Sequence, residues 1–121
     1  SQMSFSRDGK KWATVTSVAK NDLSSAQVTL GNFPNFGDIG KVVVNWAQRQ
    51  GPVLSPNGEV LALLGYEILN GPVYLYLYKG DQIEQVTEGR PMFWIDDSQL
   101  IFVKGEKVFI YNIDAKTTVE L

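Results

Sequence analysis

The side chains that could do chemistry in this 121-residue sequence are carboxylates, hydroxyls and amines, because histidine and cysteine are both absent. The usual general base near neutral pH and the usual zinc ligands are therefore missing. No Gly-x-Ser-x-Gly motif surrounds any serine, so the nucleophile turn of the α/β-hydrolases is missing too. We therefore expect no enzyme activity, no catalytic residue, no metal site and no cofactor.

Asp96 and Asp97 form an adjacent carboxylate pair. Successive strand residues point to opposite faces of a sheet, so this pair is poorly placed for shared acid–base work. Aspartate is frequent in tight turns, and a turn role explains both residues. The segment Asp8–Lys10 begins like a calcium loop but lacks the further ligands of that loop. We expect these acidic residues to be structural.

The segment Gly31–Gly40 is the strongest candidate for a binding loop. It is rich in Gly, Asn, Pro and Asp, and its two phenylalanines follow no strand pattern. Aromatic side chains on an exposed loop suit binding, although they could equally fold back over a sheet edge. The candidate binding residues are Phe33, Asn35, Phe36 and Asp38.

Two other groups of aromatic residues have a structural and a functional interpretation. Tyr74, Tyr76 and Tyr78 share one face of a predicted strand, where they could form a carbohydrate or peptide platform. Packing between two sheets, with the hydroxyls at the edge, is the more common arrangement. The tryptophans are expected in the core; they are Trp12, Trp46 and Trp94.

The strands and turns that must position these residues occur in a repeated pattern. Three segments, beginning at Phe5, Leu54 and Phe93, align without gaps: an apolar residue, a turn with Asp or Asn, and then a hydrophobic strand. Asp8-Gly9 and Asn57-Gly58 are strong hairpin dipeptides in which the glycine is expected at positive φ. The start points are 49 and 39 residues apart, near the 40–45 residues of a four-stranded propeller blade. The expected repeats are 5–53, 54–92 and 93–121.

The apolar pattern of the strands favours a propeller. Val42–Val44, Leu61–Leu64 and Val73–Tyr78 do not alternate with charged residues, as a strand with one wet face would. A propeller blade is covered on both faces by its neighbours. We predict an all-β half-propeller of about three four-stranded blades, with a small β-sandwich or barrel as the alternative. The predicted strands are 11–19, 26–30, 41–47, 52–54, 59–66, 72–78, 82–87, 91–95, 99–104, 107–113 and 117–121.

The repeats resemble a known family. Ser6–Ala13 and Ser55–Ala62 resemble the Ser-Pro-Asp-Gly-Lys-x-Leu-Ala signature of TolB-like (WD40-like) propeller repeats. Val73–Tyr76 and Gln85–Thr87 resemble the two strands that follow that signature. The resemblance implies a propeller. Because the same repeat occurs in prolyl-oligopeptidase-type enzymes and in unrelated bacterial proteins, it identifies a fold better than a function.

The charge and composition of the sequence restrict the kinds of partner that we expect. The net charge is −2 and the bases form no stripe, so nucleic acid is not expected as a partner. No polybasic segment points to a membrane surface, and a cytoplasmic and a periplasmic location remain equally open. The leading hypothesis is a non-catalytic protein-interaction or scaffold module of propeller type. The alternatives are a regulatory propeller fragment of a larger prolyl-oligopeptidase-like hydrolase, and a small ligand-binding β-sandwich.

The number of repeats also predicts self-association. Propellers close with about four to eight blades, and three repeats fall short of that. From Phe93 to Leu121 the third repeat offers a turn and only three strands, whereas Gln2–Phe5 resembles a fourth strand. Two chains that exchanged these N-terminal strands would complete a six-bladed homodimer with two-fold symmetry.

Overall fold

The computed structural model describes residues 2–20, 23–32, 43–45, 52–66, 71–79 and 82–121. Within these ranges the chain forms three antiparallel sheets of four strands each, which we call blades 1, 2 and 3. In each blade the strands follow one another in chain order. Among the same residues, no helix is long and apolar enough to cross a membrane.

The strands have the following bounds. Blade 1 contains β1 (Gln2–Phe5), β2 (Lys11–Lys20), β3 (Leu23–Asn32) and β4 (Val43–Asn45). Blade 2 contains β5 (Val53–Leu54), β6 (Val60–Tyr66), β7 (Val73–Lys79) and β8 (Gln82–Glu88). Blade 3 contains β9 (Arg90–Trp94), β10 (Gln99–Lys104), β11 (Lys107–Asn112) and β12 (Thr117–Glu120). The predicted all-β fold with four-stranded blades is confirmed, and the sandwich alternative does not describe these three separate sheets.

Each blade has a front face, toward the preceding blade, and a rear face, toward the following blade. On blade 2, Leu61 and Tyr78 pair across β6 and β7 on the front face and are buried. Ala62 and Leu77 pair on the rear face and are buried as well. The predicted absence of alternation is therefore confirmed, because blade 2 has a neighbour on each side.

The core between blades 2 and 3 joins the rear face of one to the front face of the other. Both blades contribute buried apolar side chains to a single cluster: Val60, Ala62, Leu75, Leu77, Trp94, Leu100, Phe102 and Tyr111. The ring of Phe102 also stacks on Phe109 with centroids 5.2 Å apart. Burying a large apolar side chain contributes about 1.5–3 kcal/mol, so this cluster is a main source of stability.

The tyrosines and tryptophans singled out in the sequence are buried or half-buried wherever the structure describes them. Tyr78 is buried and Tyr74 and Tyr76 are half-buried on the front face of blade 2, so the ladder packs between sheets. Trp12 and Trp94 are buried, which confirms their predicted core positions. Trp46 lies outside the described residues.

The expectation that the third blade lacks a fourth strand is wrong. β1 pairs with β2 of its own chain, with Phe5 opposite Trp12. The strand before each turn belongs to the blade that follows it, so Arg90–Trp94 supplies the strand that blade 3 was expected to lack. The three sheets begin at residues 2, 53 and 90, a few residues before the expected repeat starts. The homodimer itself stays a prediction.

The gapless alignment of the third repeat is also wrong by one residue. Leu54 pairs with Leu61 in blade 2, whereas Trp94 pairs with Leu100 in blade 3. The connecting segment is therefore 55–60 in blade 2 but only 95–99 in blade 3. Trp94, rather than Phe93, is the residue that matches Leu54.

The glycine of the first turn allows a test of its backbone conformation. Gly9 and Gly58 both lie at positive φ, as predicted, with a value of +76°. Replacing Gly9 by valine should lower the free energy of unfolding by about 1–3 kcal/mol, because a β-branched residue is strained at that φ. No atom lies within 4 Å of a Cβ built at Gly9, so the loss reports backbone strain alone. Urea denaturation measures it.

The matched control is Gly9→Asn. Asparagine accepts the left-handed region more readily than other L-residues, so this variant should lose much less stability. Equal stability of the valine and asparagine variants would contradict the assigned backbone conformation.

Candidate functional site

Three turns, one from each blade, meet around an open cleft of about 310 Å³. They follow the first strands β1, β5 and β9; β1 contacts β5, and β5 contacts β9. Because these strands lie side by side and run toward the same end of the blades, their turns come together. The cleft is lined by Arg7, Asp8, Pro56, Asn57, Asp96 and Asp97.

The first turn is held by a serine and an aspartate. The Ser6 hydroxyl donates to Asp8 Oδ1 at 2.7 Å and accepts from the Lys11 backbone N–H at 3.0 Å. Asp8 Oδ1 also accepts from the Lys10 N–H at 2.9 Å. These bonds satisfy backbone groups that the turn removes from the β ladder. Asp8 therefore does have the structural role that the sequence indicated.

The second turn repeats this geometry without the charge. Buried Ser55 donates to Asn57 Oδ1 at 2.8 Å and accepts from the Val60 N–H at 3.0 Å. The Glu59 N–H donates to Asn57 Oδ1 at 3.1 Å. An amide oxygen thus replaces the carboxylate of Asp8 with the same pattern of acceptors, so the turn requires a short side chain with an oxygen rather than an ion.

The third turn also satisfies its backbone N–H groups with an aspartate side chain, but it is one residue shorter. Asp96 Oδ1 accepts from the N–H groups of Ser98 and Gln99, both at 2.9 Å, and Asp96 Oδ2 accepts from Gln99 Nε2 at 3.0 Å. The turn closes with a bond from the Ile95 N–H to the Gln99 carbonyl at 2.9 Å. Being one residue shorter, it contains no residue at positive φ. It is therefore a different turn from the first two.

Hydrogen bonds also join the turns to one another. The Arg7 N–H donates to the Pro56 carbonyl at 2.9 Å, which joins the turns of blades 1 and 2. The Asn57 N–H donates to Asp97 Oδ1 at 2.9 Å, which joins those of blades 2 and 3. Hydrogen bonds to backbone groups therefore hold the three turns that line the cleft together. Asp97 belongs to blade 3 and accepts its bond from the backbone of blade 2.

The cleft carries a negative charge. Asp8, Asp96 and Asp97 contribute three carboxylates against the single guanidinium of Arg7. The pKa of Asp8 lies below its usual value, chiefly because the Lys10 N–H, and then the Ser6 hydroxyl, donate to the ionised carboxylate. In the described part of the chain no three acidic side chains are grouped so as to hold a metal ion. The arrangement can accept hydrogen bonds and attract a cation.

The residues that the sequence nominated for binding fall elsewhere. Phe33, Asn35, Phe36 and Asp38 lie outside the described residues. Their binding role stays a prediction.

Sequence reasoning missed the convergence of the turns, although it identified each turn. The signal was present in the repeat itself. Equivalent turns of adjacent blades must lie at the same end of those blades, so polar residues at equivalent positions share one surface.

The fold resembles propeller domains of solved structures. The β-propeller domain of the Trilobed protease from Pyrococcus furiosus, which has an open velcro topology, matches with a TM-score of 0.73 at 19% identity. The match covers 100% of this chain and 41% of that chain. AtxE2 isopeptidase with Astexin3-dC4 bound matches with a TM-score of 0.70 at 16% identity, over 98% of this chain and 28% of that chain.

These likenesses show a propeller-type fold. The chain spans less than half the length of either structure. No family model and no curated protein matches this sequence, so its resemblance to TolB-like repeats stays a prediction.

Prediction on Asp8. Because its folded pKa lies below its unfolded pKa, Asp8 stabilises the fold above the unfolded pKa, and this contribution is lost as the pH falls through the folded pKa. Carboxyl carbon NMR should therefore show Asp8 titrating below a usual aspartate. Ser6→Ala should raise the pKa, since it removes one of the donors.

Asp8→Asn provides the control, because Asn57 performs the same task in blade 2. It should keep the turn while removing this acid titration. A Ser6→Ala variant in which the Asp8 pKa does not move would contradict the assigned hydrogen bond.

Proposed function

We propose that this chain is a non-catalytic protein-interaction module of propeller type, and that its cleft binds a cationic segment of a partner protein. The observation that carries the proposal is the meeting of one turn from each blade around a single acidic cleft. A surface assembled from several repeats and held by backbone hydrogen bonds is rigid, which reduces the entropy lost on binding.

The size of the cleft supports a side chain or two as the occupant. Its volume of about 310 Å³ lies at the lower end of the range for small-molecule sites. Carboxylates that accept from an ammonium or guanidinium group form the stronger, charge-assisted type of hydrogen bond. A lysine or arginine side chain of a partner loop fits this volume and this charge.

The chemistry supports binding rather than bond cleavage. Asp96 uses both oxygens within its own turn, and Asp8 Oδ1 accepts two hydrogen bonds in its turn. With neither histidine nor cysteine in the sequence, nothing in the cleft pairs a nucleophile with a general base.

Exposed ion pairs contribute only about 0–1 kcal/mol each. A short cationic peptide should therefore bind weakly, and a protein partner must cover more of the turn surface.

Prediction on binding. The probe is a short peptide that carries one Lys and one Arg and no other charged side chain, compared with the same peptide carrying two Glu in their place. NMR titration should shift the amide resonances of Gly9, Asn57 and Asp97 with the basic peptide only. Asp97→Asn should weaken the binding roughly 2- to 5-fold, as expected for one exposed ionic contact. Added salt should weaken it as well.

The control variant is Glu106→Gln. It makes the same change of charge in the exposed turn between β10 and β11, at the other end of blade 3. It should leave the binding unchanged. Equal shifts with the acidic peptide, or shifts that map away from the three turns, would sink the proposal.

Prediction on catalysis. The isolated chain should hydrolyse neither 4-nitrophenyl acetate nor an unfolded protein substrate faster than a heat-denatured sample, for want of an activated nucleophile. Turnover that survives repurification and disappears on replacing one serine or aspartate would overturn the non-catalytic assignment.

A second candidate function has one observation in its favour. Two of the similar structures are the propeller of a protease and an isopeptidase. In this alternative the chain is a regulatory propeller of a larger hydrolase whose catalytic residues lie in another domain. The reading frame of the gene discriminates: an α/β-hydrolase domain encoded in the same frame would favour this alternative.

A further inference from the structure

A second cavity, of about 310 Å³, opens between blades 2 and 3 near the ends of β7 and β11. Its floor is apolar: Val60 and Leu77 belong to the core between the two blades, and Ile113 packs against that core. Its rim consists of exposed charged and polar side chains from both blades. This inter-blade cavity shares no lining residue with the acidic cleft.

The wall on the side of blade 2 is set by the strand register. Val60, Lys79 and Gln82 are cross-strand neighbours on the rear face of the blade. Leu77 and Glu84 pair on the same face, two residues further along β7 and β8. Residues paired across strands share one face of a sheet, so all five face blade 3. The wall is apolar on β6 and becomes polar toward the outermost strand β8.

The opposite wall is the turn that follows β11, and local hydrogen bonds hold it. Asn112 Oδ1 accepts from the N–H groups of Asp114 and Ala115 at 3.0 and 2.9 Å. The Lys116 N–H donates to the Asn112 carbonyl at 2.8 Å. Asp114 Oδ2 accepts from the Ser98 hydroxyl at 2.7 Å. The turn therefore presents Asp114 and Lys116 to the cavity from fixed backbone positions.

Lys116 has a backbone conformation that lysine rarely adopts. Its φ is +57°, and among the residues that the structure describes no other non-glycine residue has a positive φ. The left-handed region is unfavourable for most residues with a Cβ, and asparagine or glycine fits it better. Backbone conformations of this kind are concentrated at binding sites, where the side chain is needed. The side chain of Lys116 is therefore a candidate for binding a ligand.

A long ion pair joins the two walls. Lys116 Nζ lies 3.7 Å from Glu84 Oε1, and both side chains are at least half exposed. This distance is too long for a hydrogen bond, and an exposed ion pair contributes little to stability. The ammonium and the carboxylate therefore remain able to bond to a ligand placed between them.

The charges of the cavity indicate a ligand with charges of both signs. In the lining that the structure describes, Lys79 and Lys116 balance Glu84 and Asp114. A ligand of one sign is attracted and repelled by similar numbers of charges. A ligand that carries both an ammonium and a carboxylate can form charge-assisted hydrogen bonds with both kinds of group.

The volume of the cavity indicates the size of the ligand. At roughly 30 Å³ for each molecule of liquid water, about 310 Å³ corresponds to about ten waters. Free leucine and free phenylalanine have a similar number of non-hydrogen atoms. A residue inside a peptide chain has neither the free ammonium nor the free carboxylate, so a free amino acid matches the rim better.

We propose that the inter-blade cavity binds a free amino acid with an aliphatic or aromatic side chain. The side chain of the ligand packs on the apolar floor. Its ammonium pairs with Glu84 and its carboxylate pairs with Lys116. Because the ligand contacts both blades, binding also strengthens the interface between them.

The ligand chemistry is tested by NMR titration of the full chain with L-leucine and L-phenylalanine. The amide resonances of Leu77, Ile113 and Lys116 should shift, and those of Gly9 and Asp97 should not. Phenethylamine lacks the carboxylate and 3-phenylpropionate lacks the ammonium. Each should bind at least about fivefold more weakly than phenylalanine, because one charge-assisted contact is lost. Equal affinity for all three compounds, shifts that map elsewhere, or no shift with either amino acid would overturn the proposal.

A pair of matched variants tests the role of Glu84. Glu84→Gln should weaken phenylalanine binding about three- to tenfold through loss of one ionic contact. The control is Glu120→Gln, since Glu120 also has a side chain 50% exposed and also pairs with a lysine, Lys107, but lies outside the cavity. It should leave the affinity unchanged. Equal effects of the two substitutions would contradict the assigned site.

Lys116→Asn separates a binding role from a structural one. Asparagine suits the positive φ at this position, so the variant should unfold at the same urea concentration or a higher one. It should nevertheless bind phenylalanine about three- to tenfold more weakly, because the ammonium is gone. Unchanged binding would refute the role of Lys116. Asp97→Asn should not affect amino acid binding, so this proposal and the cleft proposal fail separately.

Discussion

The constraint on which the structure depends is that each blade has two apolar faces and that both must be covered. In blade 2, Leu63 on the front face and Leu75 on the rear face are both fully buried. A lone four-stranded sheet of this composition would leave both of these faces in water, at a cost of roughly 25 cal/mol for each Å² of apolar surface. Blades of this kind are therefore stable only when stacked, and the order of the chain is the order of the stack.

Stacking also creates the cleft. Because adjacent blades are related by the repeat, their first strands lie side by side, and the turns that follow emerge at the same end. The first two turns satisfy their backbone groups with a serine and an Asx side chain, and the third does so with Asp96 alone. Asp97 then reaches across to the Asn57 N–H, so a side chain of blade 3 completes the wall of blade 2. The polar surface is a consequence of apolar packing beneath it.

The repeat produces a polar surface and an apolar surface, and different forces govern binding at each. The turn cleft is acidic and open, so its interactions are weakened by salt and by competing water. Phe5, Phe93 and Val108 are exposed apolar side chains on the outer blades, where burial would depend on apolar area rather than on charge. The two surfaces share no residue, so a substitution in one leaves the other unchanged.

The sequence by itself determined the features that depend on near neighbours. Asp8-Gly9 and Asn57-Gly58 predicted turns with glycine at positive φ, and both glycines lie at +76°, because only the local backbone and the missing Cβ matter there. The unalternating apolar strands predicted blades covered on both faces.

Only the tertiary structure decided which strand joins which sheet, that Trp94 rather than Phe93 matches Leu54, and that three turns share one cleft. These features depend on pairing along strand edges and on packing between blades. A gapless alignment of the repeats does not show that the turn of blade 3 is one residue shorter than the turn of blade 2. The candidate loop residues Phe33 and Phe36 lie outside the described residues, so their role is still a prediction from sequence. Local chemistry decides how the chain turns, but contacts between distant segments decide what those turns are next to.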